Sequence, residues 1–164
     1  MVYDITGLRF QPQVNPYWCW AAVTWMVLDF YAKGQGRSQC DIAALVTGGI
    51  CCPPPSLDDL GNPCLRGADL QISLAAVGHS GGRLIAQPQS FSFVRQEIAG
   101  RRPLCAQMAR RTGDHYVVLS ACADDQSLRV LDPEGWYETD FDTFTLAGLS
   151  SPRGCCSGWF TTCA

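Results

Sequence analysis

The chain has 164 residues, 47% of them apolar and 16% charged, and a formal net charge of −3 at pH 7. That length suits one domain able to bury about two thirds of its unfolded surface, and the apolar share is too high for a disordered chain. No apolar run approaches the ~20 residues of a membrane span, and the twelve basic residues are scattered, with Arg101-Arg102 and Arg110-Arg111 as the only doublets, so the basic stripe of a nucleic-acid binder is missing.

From the N-terminus, Met-Val-Tyr-Asp has neither the basic start nor the apolar core of a signal peptide. The first strong element is a helix over Trp18–Lys33, closed by Gly34 and Gly36. A shorter one over Gln39–Val46 is closed by Gly48-Gly49, and a third over Ala68–Val77 carries Leu70, Leu74 and Val77 on one face and is closed by Gly78. From Gly82 the pattern turns to strands. Arg83–Ala86 is a short candidate and Phe91–Ala99 an intervening helix. Leu104–Met108, His115–Ala121 and Leu128–Leu131 follow, with turns at Arg111–Asp114, Asp124-Asp125 and Pro133–Gly135, and Trp159–Thr162 adds a closing strand. A helical lobe at about 14–80 and an antiparallel lobe at about 82–164 make a single α+β domain over 1–164. Ligand sites favour the cleft between two such lobes.

The stretch Gln13-Val-Asn-Pro-Tyr-Trp-Cys19-Trp20-Ala21-Ala22 carries the chemistry. Asn15 precedes a proline and is pushed out of helical conformations, while the alanines after Cys19 favour helix, so Cys19 belongs to a first helical turn. There the unpaired backbone N–H groups and the helix dipole favour a thiolate, the reactive form of a cysteine. A glutamine six residues upstream, Gln13, can fold its amide back beside the thiol. With the Cys19 N–H it would make a two-donor oxyanion hole; Gln11, eight residues upstream, is its rival. A cysteine nucleophile needs a base, and only His79 and His115 exist. His115 opens a buried strand and is held rigidly. His79, in Gly-His-Ser-Gly-Gly, reads as a surface turn residue. The base needs an orienting acceptor. Asp132 ends the strand that pairs with that of His115, whereas Asp114, Asp124 and Asp125 read as solvated turn carboxylates.

Nine further cysteines remain. Cys40, Cys51, Cys52 and Cys64 lie in a proline-rich stretch, Cys105 and Cys122 in apolar runs as core thiols, and Cys155, Cys156 and Cys163 near the end. Two or three disulfides are the first expectation for the outer groups. A four-cysteine zinc site from the first group is the competing one, although no CxxC pair is present.

Gln13-x5-Cys19-Trp20-Ala21-Ala22, Gly113-Asp114-His115-Tyr116-Val117-Val118 and Val130-Leu131-Asp132-Pro133, in that order, resemble the papain-like cysteine peptidases of bacteria. The likeness is to the compact group that includes bacteriocin-leader peptidase domains and the staphopain and avirulence proteases. It implies a papain-like fold with the active site between the lobes, Cys19 as nucleophile, His115 as general acid and base, Asp132 as orienting residue and Gln13 as oxyanion donor. Trp18 and Trp20 flank the nucleophile as candidate cleft walls, or are ordinary helix-packing tryptophans. Papain itself has asparagine where this chain has Asp132, which favours the bacterial branch.

The implied activity is an endopeptidase acting on a protein substrate without a metal or other cofactor. The family's habits suggest an effector or toxin, secreted or delivered into a target cell and matched by a cognate inhibitor or immunity protein; a cytoplasmic location is the alternative. A leader-maturation protease and a glutamine deamidase or transglutaminase use the same triad. A cysteine-rich structural or metal-binding module is the non-enzymatic alternative.

Overall fold

A computed structural model describes residues 1–32, 36–82, 84–86, 89–146 and 151–164. Helix α1 spans Cys19–Ala32. Its entry is set by Asn15, whose side-chain oxygen accepts the Tyr17 N–H at 3.0 Å and whose carbonyl accepts the Trp18 N–H at 2.9 Å. Helix α2, Gln39–Thr47, starts from a Ser38/Asp41 capping box. Helix α3, Leu70–Ala76, begins later than its sequence pattern because Asp69 takes the N-cap and accepts the N–H groups of Gln71 and Ile72. Lys33, Gly34 and Arg83, which the sequence reading placed in or beside elements, lie outside the described residues.

The second half supplies most of an antiparallel sheet of seven strands. They are β1 (Val2–Asp4), β2 (Ile85–Ala86), β3 (Leu104–Arg110), β4 (Gly113–Ala123), β5 (Ser127–Leu131), β6 (Tyr137–Asp140) and β7 (Cys155–Phe160), with helices α4 (Phe91–Ala99) and α5 (Phe141–Leu146) between them. The order is β2-β7-β3-β4-β5-β6. Strand β4 is long enough that β3 pairs with its first part, from Gly113 to Leu119, while β1 takes Ala121–Ala123. The C-terminal strand is not a closing edge at Trp159–Thr162. It runs over Cys155–Phe160 inside the sheet, between β2 and β3.

Period-two alternation along β4 divides the core. Tyr116 and Val118 face α1–α3 and join Trp18, Met26, Leu74 and Phe160. Val117 and Leu119 face the other way and join Val94 and Ile98 of α4, Phe141 and Phe144 of α5, and Trp159. The molecule is an α+β protein in which one antiparallel sheet separates the helical lobe from two smaller helices.

The four cysteines of the first group are joined as Cys40–Cys52 and Cys51–Cys64. The disulfide expectation holds for them, and their sulfurs are not available to a zinc ion. Cys105 and Cys122 are buried core thiols, as expected. Burial pushes the Cys105 thiol far up and that of Cys122 to about 11, so neither is a nucleophile at neutral pH.

Candidate active site

Cys19 is the first residue of α1 and nearly buried. His115 stands across from it on β4, opposite Met108 in the β3–β4 hairpin. Gly113, at φ 120°, opens the return strand of that hairpin in a conformation a side chain would strain. Asp132 follows the last residue of β5, which pairs with β4 through Val118 and Leu131. Adjacent strands thus deliver His115 and Asp132 to one sheet end.

The Asp132 side chain has no exposed surface. Its Oδ1 meets His115 Nε2 at 2.7 Å and accepts the Glu134 N–H at 2.8 Å; its Oδ2 accepts from Arg110 Nη2 at 2.9 Å. Cys19 and the imidazole line the same cleft, and with Nε2 on Asp132 the ring nitrogen left for the thiol is Nδ1. Burial works against the imidazolium, but the hydrogen bonds and charges of Asp132 and Cys19 outweigh it and push His115 up to about 9. Burial likewise opposes the Asp132 carboxylate. The His115 bond and charge, the Glu134 N–H and Arg110 hold it below the ordinary range nonetheless.

Cys19 and His115 face a cleft of about 530 Å³ between the lobes. Trp20 lines it and donates its indole N–H to the Arg66 carbonyl at 3.3 Å. Trp18 does not line it. It has no exposed surface and donates to the Cys64 carbonyl at 2.7 Å, so it serves the core. Gly67, Ala68 and Asp69 line the cleft from the helical lobe, and Tyr116 lines it from β4. Burial, then the charges of Asp69 and Asp114, push the Tyr116 phenol up to about 12, keeping it a neutral hydroxyl.

Gln13 sits next to this constellation, not on its surface. Its backbone N–H donates to the Pro133 carbonyl at 3.1 Å, beside Asp132, and its amide donates to the carbonyl of Pro16, a cleft-lining residue, at 3.1 Å. The Gln13 Oε1 is buried with no hydrogen-bond partner. Turning the amide toward the thiol therefore costs one hydrogen bond, about 1 kcal/mol. Gln11 lines a different pocket, with Arg9, Trp25 and Asp29.

His79 is not a surface turn residue. It is nearly buried, stacked on Tyr31 with ring centroids 5.0 Å apart, and its Nδ1 meets the Cys163 carbonyl at 2.9 Å. Asp114 belongs to β4, not a turn, and lines the cleft mouth. Asp124 is an exposed turn residue that binds the N-terminal ammonium.

Sequence reasoning missed Arg110. Its side chain is mostly buried and bridges Asp132 to Glu134, reaching Glu134 Oε2 at 2.8 Å. The Arg110-Arg111 doublet was its only local sign. His115, Asp132 and Glu134 could offer three ligand atoms to a cation, but Arg110 already pairs with both carboxylates and His115 with Asp132, which fits a proton relay better than a metal centre.

Residues 3–147 match the model of the family described as papain-like cysteine protease AvrRpt2. Among solved structures the chain is similar to the Pseudomonas avirulence protein AvrPphB, at 12% identity and a TM-score of 0.43, over 98% of this chain and 100% of that one. No curated protein sequence matches significantly.

Proposed function

Because this chain belongs to the AvrRpt2 family of papain-like cysteine proteases, it is a cysteine peptidase, and we propose that Cys19, His115 and Asp132 form its catalytic triad. The observation that carries the assignment is one cleft lined by both a nearly buried thiol at a helix start and an imidazole, with a fully buried carboxylate 2.7 Å beyond that imidazole. His115 holds the Cys19 proton as imidazolium. The thiolate attacks the substrate carbonyl, the oxyanion takes the Cys19 N–H and the Gln13 amide, and His115 Nδ1 returns the proton to the leaving amine. Water then attacks the acyl-enzyme with His115 as base. Asp132 stays ionised throughout and fixes the imidazole.

The substrate is a protein. We assign the enzyme to the effector class, secreted or delivered to a target cell. The Cys40–Cys52 and Cys51–Cys64 disulfides support a route through an oxidising compartment, and among the described residues no helix is long and apolar enough to cross a membrane. The test is to incubate the protein, or Cys19→Ala, with lysate of candidate target cells and label new protein N-termini. New termini appearing only with the intact thiol support a peptidase. Ammonia release with no new termini would make it a deamidase instead.

A further inference from the structure

The segment that carries Gln13 is gripped from behind by a side chain outside the cleft. Gln39 is the first residue of α2, and 3% of its surface is exposed. Its Nε2 donates to the Pro12 carbonyl at 2.7 Å, and its Oε1 accepts the Val14 N–H at 3.1 Å. The amide thus pairs with the backbone on both sides of residue 13, as a neighbouring strand would. The Gln13 N–H goes to the Pro133 carbonyl. Three consecutive residues are therefore tied, two to α2 and one to the Asp132 loop.

Local structure makes this grip stiff. The Ser38/Asp41 capping box sets the first turn of α2, with the Ser38 N–H reaching Asp41 Oδ2 at 2.7 Å, and the next residue, Cys40, is tied to Cys52. The Gln13 side chain, by contrast, holds one hydrogen bond through its amide nitrogen and has its oxygen unpartnered. Such an arrangement has a fixed mount and a loose arm. A donor that must meet charge only in the transition state needs its backbone held and its side chain able to turn.

We infer that Gln39 is a positioning residue for the oxyanion hole, holding the backbone of residues 12–14 so that the Gln13 amide can reach the tetrahedral oxyanion on Cys19. This rests on the triad and oxyanion reading above. It also explains a buried glutamine whose two polar ends both serve another segment, at a helix start where a lysine or glutamate would be equally helical.

The test separates thiol reactivity from oxyanion stabilisation. Alkylation of Cys19 by iodoacetamide forms no oxyanion. Acylation by p-nitrophenyl acetate does, releasing p-nitrophenolate, and Cys19→Ser supplies the background from other thiols. Both rates are measured in the wild type, Gln13→Ala, Gln39→Met and the double variant. Methionine keeps the volume of Gln39 without its donor or acceptor.

Gln13→Ala is expected to slow acylation roughly 10²-fold, and Gln39→Met roughly tenfold or more, since a misplaced group near the chemistry costs on that order. Alkylation stays unchanged in both. In the Gln13→Ala background, Gln39→Met adds nothing. Equal slowing by Gln39→Met in both backgrounds, or of both reactions, would overturn the proposal while leaving Gln13 its role. Wild-type acylation in Gln13→Ala would remove the role of Gln13 itself, and that of Gln39 with it. Should Gln39→Met fail to fold, Gln39→Glu, which keeps the acceptor for Val14 and loses the donor to Pro12, carries the same comparison.

Discussion

Arg110 occupies the Asp132 oxygen that His115 does not, its Nη2 2.9 Å from Oδ2 while His115 Nε2 lies 2.7 Å from Oδ1. The carboxylate is thus held between a permanent cation and a titrating one, and neither of its oxygens is left to pull the imidazole out of line.

Removing one partner of a buried ion pair leaves the other charge stranded. Arg110→Ala is therefore expected to cost about 3 kcal/mol of stability, read from urea unfolding. Arg110→Lys should recover only part of it, because two different guanidinium nitrogens reach Asp132 and Glu134 and an ammonium is a single point. Unfolding unchanged in Arg110→Ala would show that solvent replaces the guanidinium without cost.

Cys19→Ala should abolish new N-termini while leaving the thermal midpoint near that of the wild type, since a small nearly buried side chain at a helix start is lost without a large cavity. Residual cleavage by this variant would rule Cys19 out as the nucleophile.

Asp132→Asn keeps the shape of the site and removes the charge that holds the imidazolium. The His115 value of about 9 should fall toward the ordinary 6.5, as followed by NMR titration of the ring protons, and turnover should fall by several orders of magnitude, as when a triad aspartate becomes an amide, ~10⁴. A His115 titration that does not move would mean that Asp132 is not what sustains it.

Both partners make stability depend on pH, with opposite signs. His115 goes from 6.5 when unfolded to about 9 when folded. Its contribution is complete below pH 6.5 and lost as pH rises through 9. Asp132 is lowered on folding, so its contribution is present above the unfolded carboxyl value and lost as pH falls through the folded one. Denaturant midpoints across pH should show a plateau between these limits. The alkaline limb of kcat/KM should lie near 9 and not near 6.5, because the reactive form needs the protonated imidazole.

The two disulfides should open in order. Cys52 is exposed, whereas Cys51 and Cys64 have no exposed surface, so a mild reductant reaches Cys40–Cys52 first. Differential alkylation with mass spectrometry reads the order, and simultaneous opening would show that the loop unfolds as a unit. Each link closes a short loop, worth about 2–4 kcal/mol by chain entropy.

The catalytic candidates were legible because each announces itself locally. Cys19 sits at a Pro-to-Ala transition, His115 at the mouth of an apolar strand, and Asp132 before a proline at the end of the pairing strand. Arg110 and Gln39 were not, because their meaning lies in contacts 22 and 25 residues away in sequence, and neither position carries a pattern that points there. The same division holds for the sheet. β4 alternates over a long buried run, but β6, Tyr-Glu-Thr-Asp, is a polar edge strand without apolar alternation, and β1 is three residues that count only because Ala121–Ala123 of β4 project past β3. His79 misled because its glycine-rich surroundings say turn, while burial comes from Tyr31 and the chain end.

The position of β7 has a consequence in the order of synthesis. Residues 155–160 lie between β2 and β3, so a ribosome delivers Cys19, His115 and Asp132 before the strand that borders the β3–β4 hairpin exists. Until β7 is laid in, β3 has one raw edge, and the wall that holds His115 has a neighbour on one side only. A growing chain thus carries all three candidate triad residues while β3 still has one edge unbraced.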